Sequence, residues 1–422
     1  MTGPTLSERY ASAQEYEEAQ PDTAISRLRD IVLGDNPNDA ESIKTKELAL
    51  QSLANLYAKQ GDADALRTLL TELRSLFALI PKAKTAKIVR TVVDTIAKVP
   101  NSTAVQLEVC KEQVQWAQTE KRTFLRQRIE VRLATLYLET KDYTSSISLI
   151  GKLLTEVKRL DDKLLLVDIH LLESRVHTAL RNAPKAKAAL TAARTAANSI
   201  YIPPAIQAEI DTQSGTLHAE EKDYKTAYSY FFEAFEQFNA LDDRKAVLSL
   251  KYMLLCKIML SSAEEVPGMI SSKAGLKYAG IEVDAMRTVA KAYQDRSLQG
   301  FQEALKVHAE QLVDDPVVHT HLSALYDTLL EQNLIRLIEP FSCVQISHLA
   351  QLIKLPLETV LSKLAQMILD KKFAGTLDQG AGCLDVFEEP PVDEIYPAAL
   401  KTFSNMGHVV DTLFNRSQKI MA

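Results

Sequence analysis

The chain has 422 residues, enough for two or three domains of ordinary size. Hydrophobic residues make up 46% of it, aromatics only 6%, and glycine occurs 13 times, a balance that speaks against turn-dense β architecture and for long Leu- and Ala-rich helices. A formal net charge of −6 and a pI near 5.9 give no overall pull toward a polyanion, so nucleic-acid binding would need a local basic patch.

The N-terminal stretch, MTGPTLSERYASAQEYEE, has no basic region followed by an apolar one. The most apolar stretch, Leu248 to Leu260, is interrupted by Lys251 and Lys257. A soluble, unsecreted protein is expected. Internal repeats follow. LANLYAKQGD begins at Leu53, LATLYLETKDY at Leu133 and SGTLHAEEKDYKTAY at Ser214, with weaker copies at Val93 and Glu173 and a short echo at Val289. The spacing predicts a unit of about 40 residues. Within one unit Ile129, Leu133, Leu136 and Tyr137 share a helical face; after the KDY turn, Ile147, Ile150, Leu154 and Val157 share another. Each unit therefore reads as a helical hairpin. Ala54, Ala134 and Gly215 allow close helix approach, and Gly215, Ala227, Phe231 and Ala234 fit the small/large spacing of tetratricopeptide repeats. A lone hairpin cannot bury its apolar face, so the units must stack into a solenoid.

Two basic runs fall within this region. Lys82, Lys84, Lys87 and Arg90 form one, and Lys121, Arg122, Arg126, Arg128 and Arg132 the other. They read first as solvated helix faces and otherwise as charged contacts for acidic partners.

After His319 the texture changes. THLSALYDTLLEQNLIRLI, then ISHLAQLI, then LPLETVLSKLAQMILD read as three helices joined by short connections such as EPFSCVQ. Leu357, Val360, Leu361, Leu364 and Ile368 give the third one apolar face. Two strands follow, Phe373 to Leu377 and Cys383 to Phe387, around the turn DQGAG. This is the element order of a winged helix. Its lone two-stranded hairpin would leave an edge for a neighbouring sheet, with Phe373, Gly375, Leu377, Leu384 and Val386 as candidate edge residues. The third helix carries a single lysine, Lys363, against Glu358 and Asp370, which disfavours phosphate contacts in a DNA groove. Lys371 and Lys372 read as edge-strand gatekeepers.

In the tail, Val392, Tyr396, Ala399, Phe403, Met406, Val410, Leu413, Ser417 and Ile420 alternate steps of four and three. Leaving Phe403, Met406, Val410, Leu413 and Ile420 in water would forgo about 8–15 kcal/mol of burial. They are expected to enter a helix bundle with a partner. The competing reading packs the helix on its own domain, although four heptads exceed what a small winged helix can cover.

Signatures of chemistry are missing from the sequence: no G-x-x-x-x-G-K-[ST] loop, G-x-S-x-G elbow or H-E-x-x-H pair occurs. Cys110, Cys256, Cys343 and Cys383 lie far apart without paired spacing, which argues against disulfides and zinc knuckles and for reduced thiols. No catalytic residue, cofactor or metal site is expected.

A helical-repeat solenoid running into a winged helix resembles the PCI family, named for subunits of the proteasome lid, the signalosome and a translation initiation factor. EKRTFLRQ (120–127), PKAKAALTAARTAANSIY (184–201), KTAYSYFFEAFE (225–236), LKYMLLCKIML (250–260), EQNLIRLIEPFS (331–342) and QMILDKKF with DQG (366–380) resemble the proteasome-lid branch, in its sixth non-ATPase subunit family. The resemblance implies an all-α fold in three parts. These are a right-handed, tetratricopeptide-like solenoid over 1–318, a winged-helix subdomain over 319–391, and a long C-terminal helix over 392–422. It further implies a non-catalytic scaffold bracing lid, ATPase base and core particle for ubiquitin-dependent degradation, in cytoplasm and nucleus. The partners implied are other PCI subunits, a core-particle α-ring subunit and a base ATPase, without membrane or nucleic acid. A signalosome subunit and a winged-helix adaptor of nucleic acid or the translation machinery are the alternatives. The lid's metalloprotease has an H-x-H pair, but at His319 and His321 the aspartate it requires would fall at Leu329, so these read as surface or packing histidines.

Overall fold

The computed structural model describes residues 6–16, 20–34, 40–77, 82–97, 99, 102–313, 315–353, 355–378, 380–387 and 395–421. It resolves into two compact units, Met1–Cys256 and Lys257–Ala422.

The first unit is helical throughout its described residues. It contains α1 (Leu6–Glu15), α2 (Pro21–Leu33), α3 (Ala40–Gln60), α4 (Ala63–Glu72), α5 (Arg74–Phe77), α6 (Lys82–Ile96) and α7 (Thr103–Thr119). The most regular hairpins follow: α8 (Thr123–Glu139) with α9 (Tyr143–Leu160), α10 (Lys163–Ala179) with α11 (Ala183–Asn198), and α12 (Pro204–Glu220) with α13 (Tyr224–Ala240). The division between the units falls within α14 (Lys245–Met259).

One local device makes these hairpins regular. Lys121, Lys141, Asp161, Arg181, Lys222 and Asp242 adopt φ between +52 and +66° at successive helix ends. Around Lys141, its N–H donates to Leu138 O at 3.1 Å and the Asp142 N–H donates to Tyr137 O at 2.9 Å, which closes the free carbonyls of α8. Asp142 then starts α9, its carboxylate accepting the Ser145 N–H at 3.3 Å. The same pair of residues ends one helix and caps the next at Gly61–Asp62, Arg181–Asn182 and Lys222–Asp223. The recurrent GD and KD dipeptides are thus a turn in which the left-handed residue needs no glycine and the residue after it must be a short oxygen acceptor.

Packing between hairpins explains the small residues. An added Cβ on Gly215 would sit 2.7 Å from the Phe231 ring, so α12 and α13 approach only because position 215 has no side chain. Ser146 and Ser174 play the same part elsewhere, donating to Ala134 O at 3.1 Å and to Ala186 O at 3.0 Å across their helix contacts. On α8 the expected face is largely observed: Ile129, Leu133 and Leu136 are buried and Tyr137 is partly so. On α9 the buried face is Ser146, Ile150, Leu153 and Val157, whereas Ile147 is 37% exposed and Leu154 half-buried. The face is rotated from the expected one because the close approach at Ser146 turns the helix toward Ala134.

The second unit begins with short helices, α15 (Val266–Ile270), α16 (Lys273–Lys277), α17 (Ile281–Gln294), α18 (Leu298–Val307) and α19 (Ala309–Val313). Then come α20 (Pro316–Ile338), β1 (Cys343–Gln345), α21 (Ile346–Ile353), α22 (Leu357–Leu369), β2 (Ala374–Asp378), β3 (Cys383–Phe387) and α23 (Ile395–Met421). Val344, Ile346, Leu349, Val360, Leu364, Met367 and Leu384 form the winged-helix core. Met367 takes the place expected for Leu357, which is exposed.

The hairpin is not alone. The sheet has three strands in the order β1-β3-β2, with Val344 paired to Leu384 and Leu377 to Leu384 on the other side. The segment EPFSCVQ, expected as a connection, supplies the third strand. It is too short to show a period of two, so no alternation reveals it in the sequence.

Candidate interaction surfaces

Three surfaces carry the candidate residues, beginning with α23. Phe403, Met406, Val410 and Leu413 are between 59% and 70% exposed. Leu400, Val409 and Phe414, outside the predicted heptad stripe, are as open and widen the apolar face. They occupy heptad positions flanking the seam, where a strict two-in-seven pattern overlooks them. Val392 and the side chain of Ile420 lie outside the described residues.

On the sheet, the expected edge needs correction. Leu384 and Val386 stand on β3, the central strand, and Leu384 is fully buried, so neither faces an edge. Phe373 precedes β2 instead of belonging to it. Among the described residues β2 has no second strand partner. The Val386 N–H donates to Ser342 O on the β1 side at 2.8 Å. Strand alternation therefore turns Asp385 and its partner Thr376 toward each other, and leaves the backbone of Gly375 and Leu377 on the open side. Gly375 must lack a side chain, because a Cβ there would meet Asp385 O at 2.8 Å.

The winged helix's lysines are engaged internally. Lys363 on α22 is 3.0 Å from Glu331 on α20, and Lys372 also pairs with Glu331. Burial alone would raise the Glu331 carboxyl, but hydrogen bonds from Lys372 and Lys363 hold it below the usual range. Lys371, with φ +55°, closes α22. The helix that would enter a DNA groove thus spends its one cation on its own domain.

The basic runs separate into spent and available residues. Arg122 donates to Phe77 O at 3.3 Å and lies 4.8 Å above the Trp116 ring, and Arg126 pairs with Glu130 and Glu156. Both are partly exposed and are engaged within the chain. Lys121 is the left-handed residue of its turn. Lys84 is half-buried, Lys87 and Arg90 are exposed, and the side chain of Lys82 lies outside the described residues. Lys87 reaches Glu47 at 2.8 Å.

His319 is exposed, while His321 is buried and burial lowers its pKa. Burial pushes the thiols of Cys110 and Cys256 up to about 11 and about 12, far from nucleophilic. Among the described residues no three His, Cys, Asp or Glu side chains gather as metal ligands, and no helix is long and apolar enough to cross a membrane.

Stacked helical hairpins, a winged helix with a three-stranded sheet and an exposed amphipathic C-terminal helix are the architecture of a PCI-type chain. Family models match in three places: the 26S proteasome regulatory subunit RPN6 N-terminal domain over residues 6–140, the PCI domain over 305–388, and the 26S proteasome subunit RPN6 C-terminal helix domain over 392–418. The chain is 62% identical over 405 residues to the 26S proteasome non-ATPase regulatory subunit 11 homolog of Arabidopsis thaliana, covering 96% of each. It is 49% identical over 391 residues to the probable 26S proteasome regulatory subunit rpn6 of Schizosaccharomyces pombe, covering 92% of this chain and 93% of the relative. With the 26S proteasome regulatory subunit RPN6 of Saccharomyces cerevisiae it shares 48% identity over 336 residues, covering 78% and 77%. The chain belongs to this family of 26S proteasome non-ATPase regulatory subunits, which decides among the three PCI complexes.

Proposed function

We propose that the chain is a structural scaffold that braces the lid, the ATPase base and the core particle during ubiquitin-dependent degradation. In this reading residues 1–318 form a solenoid that meets a core-particle α-ring subunit and a base ATPase. Residues 319–391 join neighbouring PCI subunits, and 392–422 enter a shared helix bundle. The protein works in cytoplasm and nucleus without nucleic acid or membrane, in keeping with the internal use of Lys363 and Lys372. The observation that carries the reading is α23, whose exposed apolar face is the kind of surface that another chain must cover.

The test replaces Phe403, Val410 and Leu413 together with Gln, which removes the apolar knobs without shortening the helix. The variant should fold alone with wild-type helicity and Tm, yet fail to co-purify with the 26S particle; incorporation at the wild-type level would overturn the reading. A second substitution, Leu377→Pro, places a proline on the open side of β2 and should weaken assembly while leaving the hairpin intact.

A further inference from the structure

The two basic runs, 30 or more residues apart in the sequence, meet in one place. A cleft of about 330 Å³ lies between α6 and α8, with Lys87 and Arg90 on one wall and Arg128 and Arg132 on the other. Val93, Leu125 and Ile129 line its interior, and Phe124 stands at its border, 65% exposed. Asp94 is the one carboxylate among the lining residues.

The charges in this cleft are unequal. Lys87 is held by Glu47, but no carboxylate lies within ion-pair distance of Arg90, Arg128 or Arg132 among the described residues. The Nε of Arg132 is buried there without a hydrogen-bond partner. With no carboxylate of the described residues within ion-pair distance, the accessible part of such a guanidinium is open to a partner's carboxylate, which it can meet with two parallel bonds. Beneath these cations the surface is aliphatic, suited to Leu or Phe side chains spaced along one face of a helix. A nucleic-acid strand would instead call for stacked aromatic platforms, and the cleft has a single aromatic.

We propose that the α6–α8 cleft is a docking site for an acidic amphipathic segment of a partner protein. Its carboxylates pair with Arg90, Arg128 and Arg132, and its apolar face covers Phe124 and the interior. The proposal rests on the reading of the repeats as a contact surface and adds the chemistry of the partner.

The experiment uses the full-length chain and a fluorescein-labelled helical peptide built of Glu, Leu and Phe, followed by fluorescence anisotropy. Its Glu→Lys counterpart and a uridine oligonucleotide serve as competing probes. The acidic peptide should bind, and binding should weaken by roughly tenfold between about 50 and about 300 mM salt. Arg90→Glu with Arg128→Glu, both at exposed positions, should lower affinity roughly tenfold or more; because Arg128 also faces Asp168, Arg90→Glu alone is measured beside it and should lower affinity in the same direction. Phe124→Ser should lower it about fivefold with little change in the salt dependence. The proposal is overturned if the acidic peptide does not bind, if the lysine peptide binds as well, if charge reversal leaves affinity unchanged, or if the oligonucleotide displaces the peptide and binds more tightly. Co-migration of the chain with the 26S particle on native gels is read in parallel. Lost co-migration of the wild-type chain with peptide binding intact would refute the scaffold reading alone; the reverse pattern would refute the cleft alone.

Discussion

Helices α13 and α23 carry similar information in sequence and meet opposite fates. Both are long, amphipathic and built around phenylalanines, yet Phe231 on α13 is 1% exposed and Phe403 on α23 is 70% exposed. The first is covered within 20 residues by its own hairpin partner α12, where Gly215 opens the space for its ring. Among the described residues the second keeps its ring open, with no helix packed over it as α12 packs over Phe231. Amphipathic periodicity shows that a face avoids water; whether the covering surface is intramolecular depends on what the chain places beside it.

Replacing each phenylalanine in turn gives the strongest test of that contrast. Phe231→Ala leaves a cavity between α12 and α13 and should cost the isolated chain about 3–5 kcal/mol. Phe403→Ala should change its stability by less than about 0.5 kcal/mol, because the ring gains little from folding. Urea unfolding of the two variants checks both, and equal losses would erase the distinction. Next in size, Gly215→Ala drives a methyl into the Phe231 ring and should cost about 1–3 kcal/mol. Phe231→Leu in the same chain should recover part of that loss, so the two changes together should destabilise by less than their sum.

A third test concerns charge inside the repeats. Burial raises the Asp168 carboxyl from 3.8 to about 6, Glu209 and Asp162 add to the rise, and Arg128 and Arg175 oppose it. A carboxyl whose folded value lies above its unfolded one binds its proton more tightly in the native state. Its contribution favours folding below about pH 4 and is withdrawn as pH rises through about 6. Asp168→Asn should therefore stabilise the chain by about 1–2 kcal/mol at pH 7.5 and flatten the fall in stability between about pH 4 and 6. Asp142 and Asp223, which cap the helices after two of the turns, behave oppositely. Hydrogen bonds from Ser145 hold Asp142 below the usual range, so its contribution is present at neutral pH and is lost on acidification.

How much of this was legible in the sequence follows from the range of the forces involved. The hairpin period and the close approach at Gly215 are local patterns and appear where the spacing puts them; the described part of the α23 face is wider than its heptad stripe, since Leu400, Val409 and Phe414 share it. The rotation of α9 was not legible, since Ser146 faces inward only because Ala134 lies across from it. The third strand, β1, has three residues and is defined by its pairing with β3. The meeting of Lys87 and Arg90 with Arg128 and Arg132 depends on how α6 and α8 are set by α7 between them in sequence. Likewise, the burial of Lys363's charge in Glu331 required the position of α20. Long-range pairing of charges leaves no periodic trace.

The smallest effects lie in the turns and separate their two halves. Asn182 caps α11 through the Lys185 N–H, and Asn182→Ala should cost about 1 kcal/mol. Hydrogen exchange should register the loss at the first turn of α11 before any other helix. The left-handed residue should respond in the opposite direction. Lys141 sits at φ +63°, a conformation that strains any side chain bearing a Cβ, and its N–H already serves the Leu138 carbonyl. Glycine keeps that hydrogen bond and removes the strain, but it also frees the unfolded chain, so the two effects partly offset. Because the native φ is positive, the relief of strain is the larger, and Lys141→Gly should raise stability by about 0.5 kcal/mol. Lys141→Ala retains the Cβ and should bring no gain. A gain from alanine equal to that from glycine would show that the benefit came from removing the lysine's charge, and that the turn was not strained at this residue.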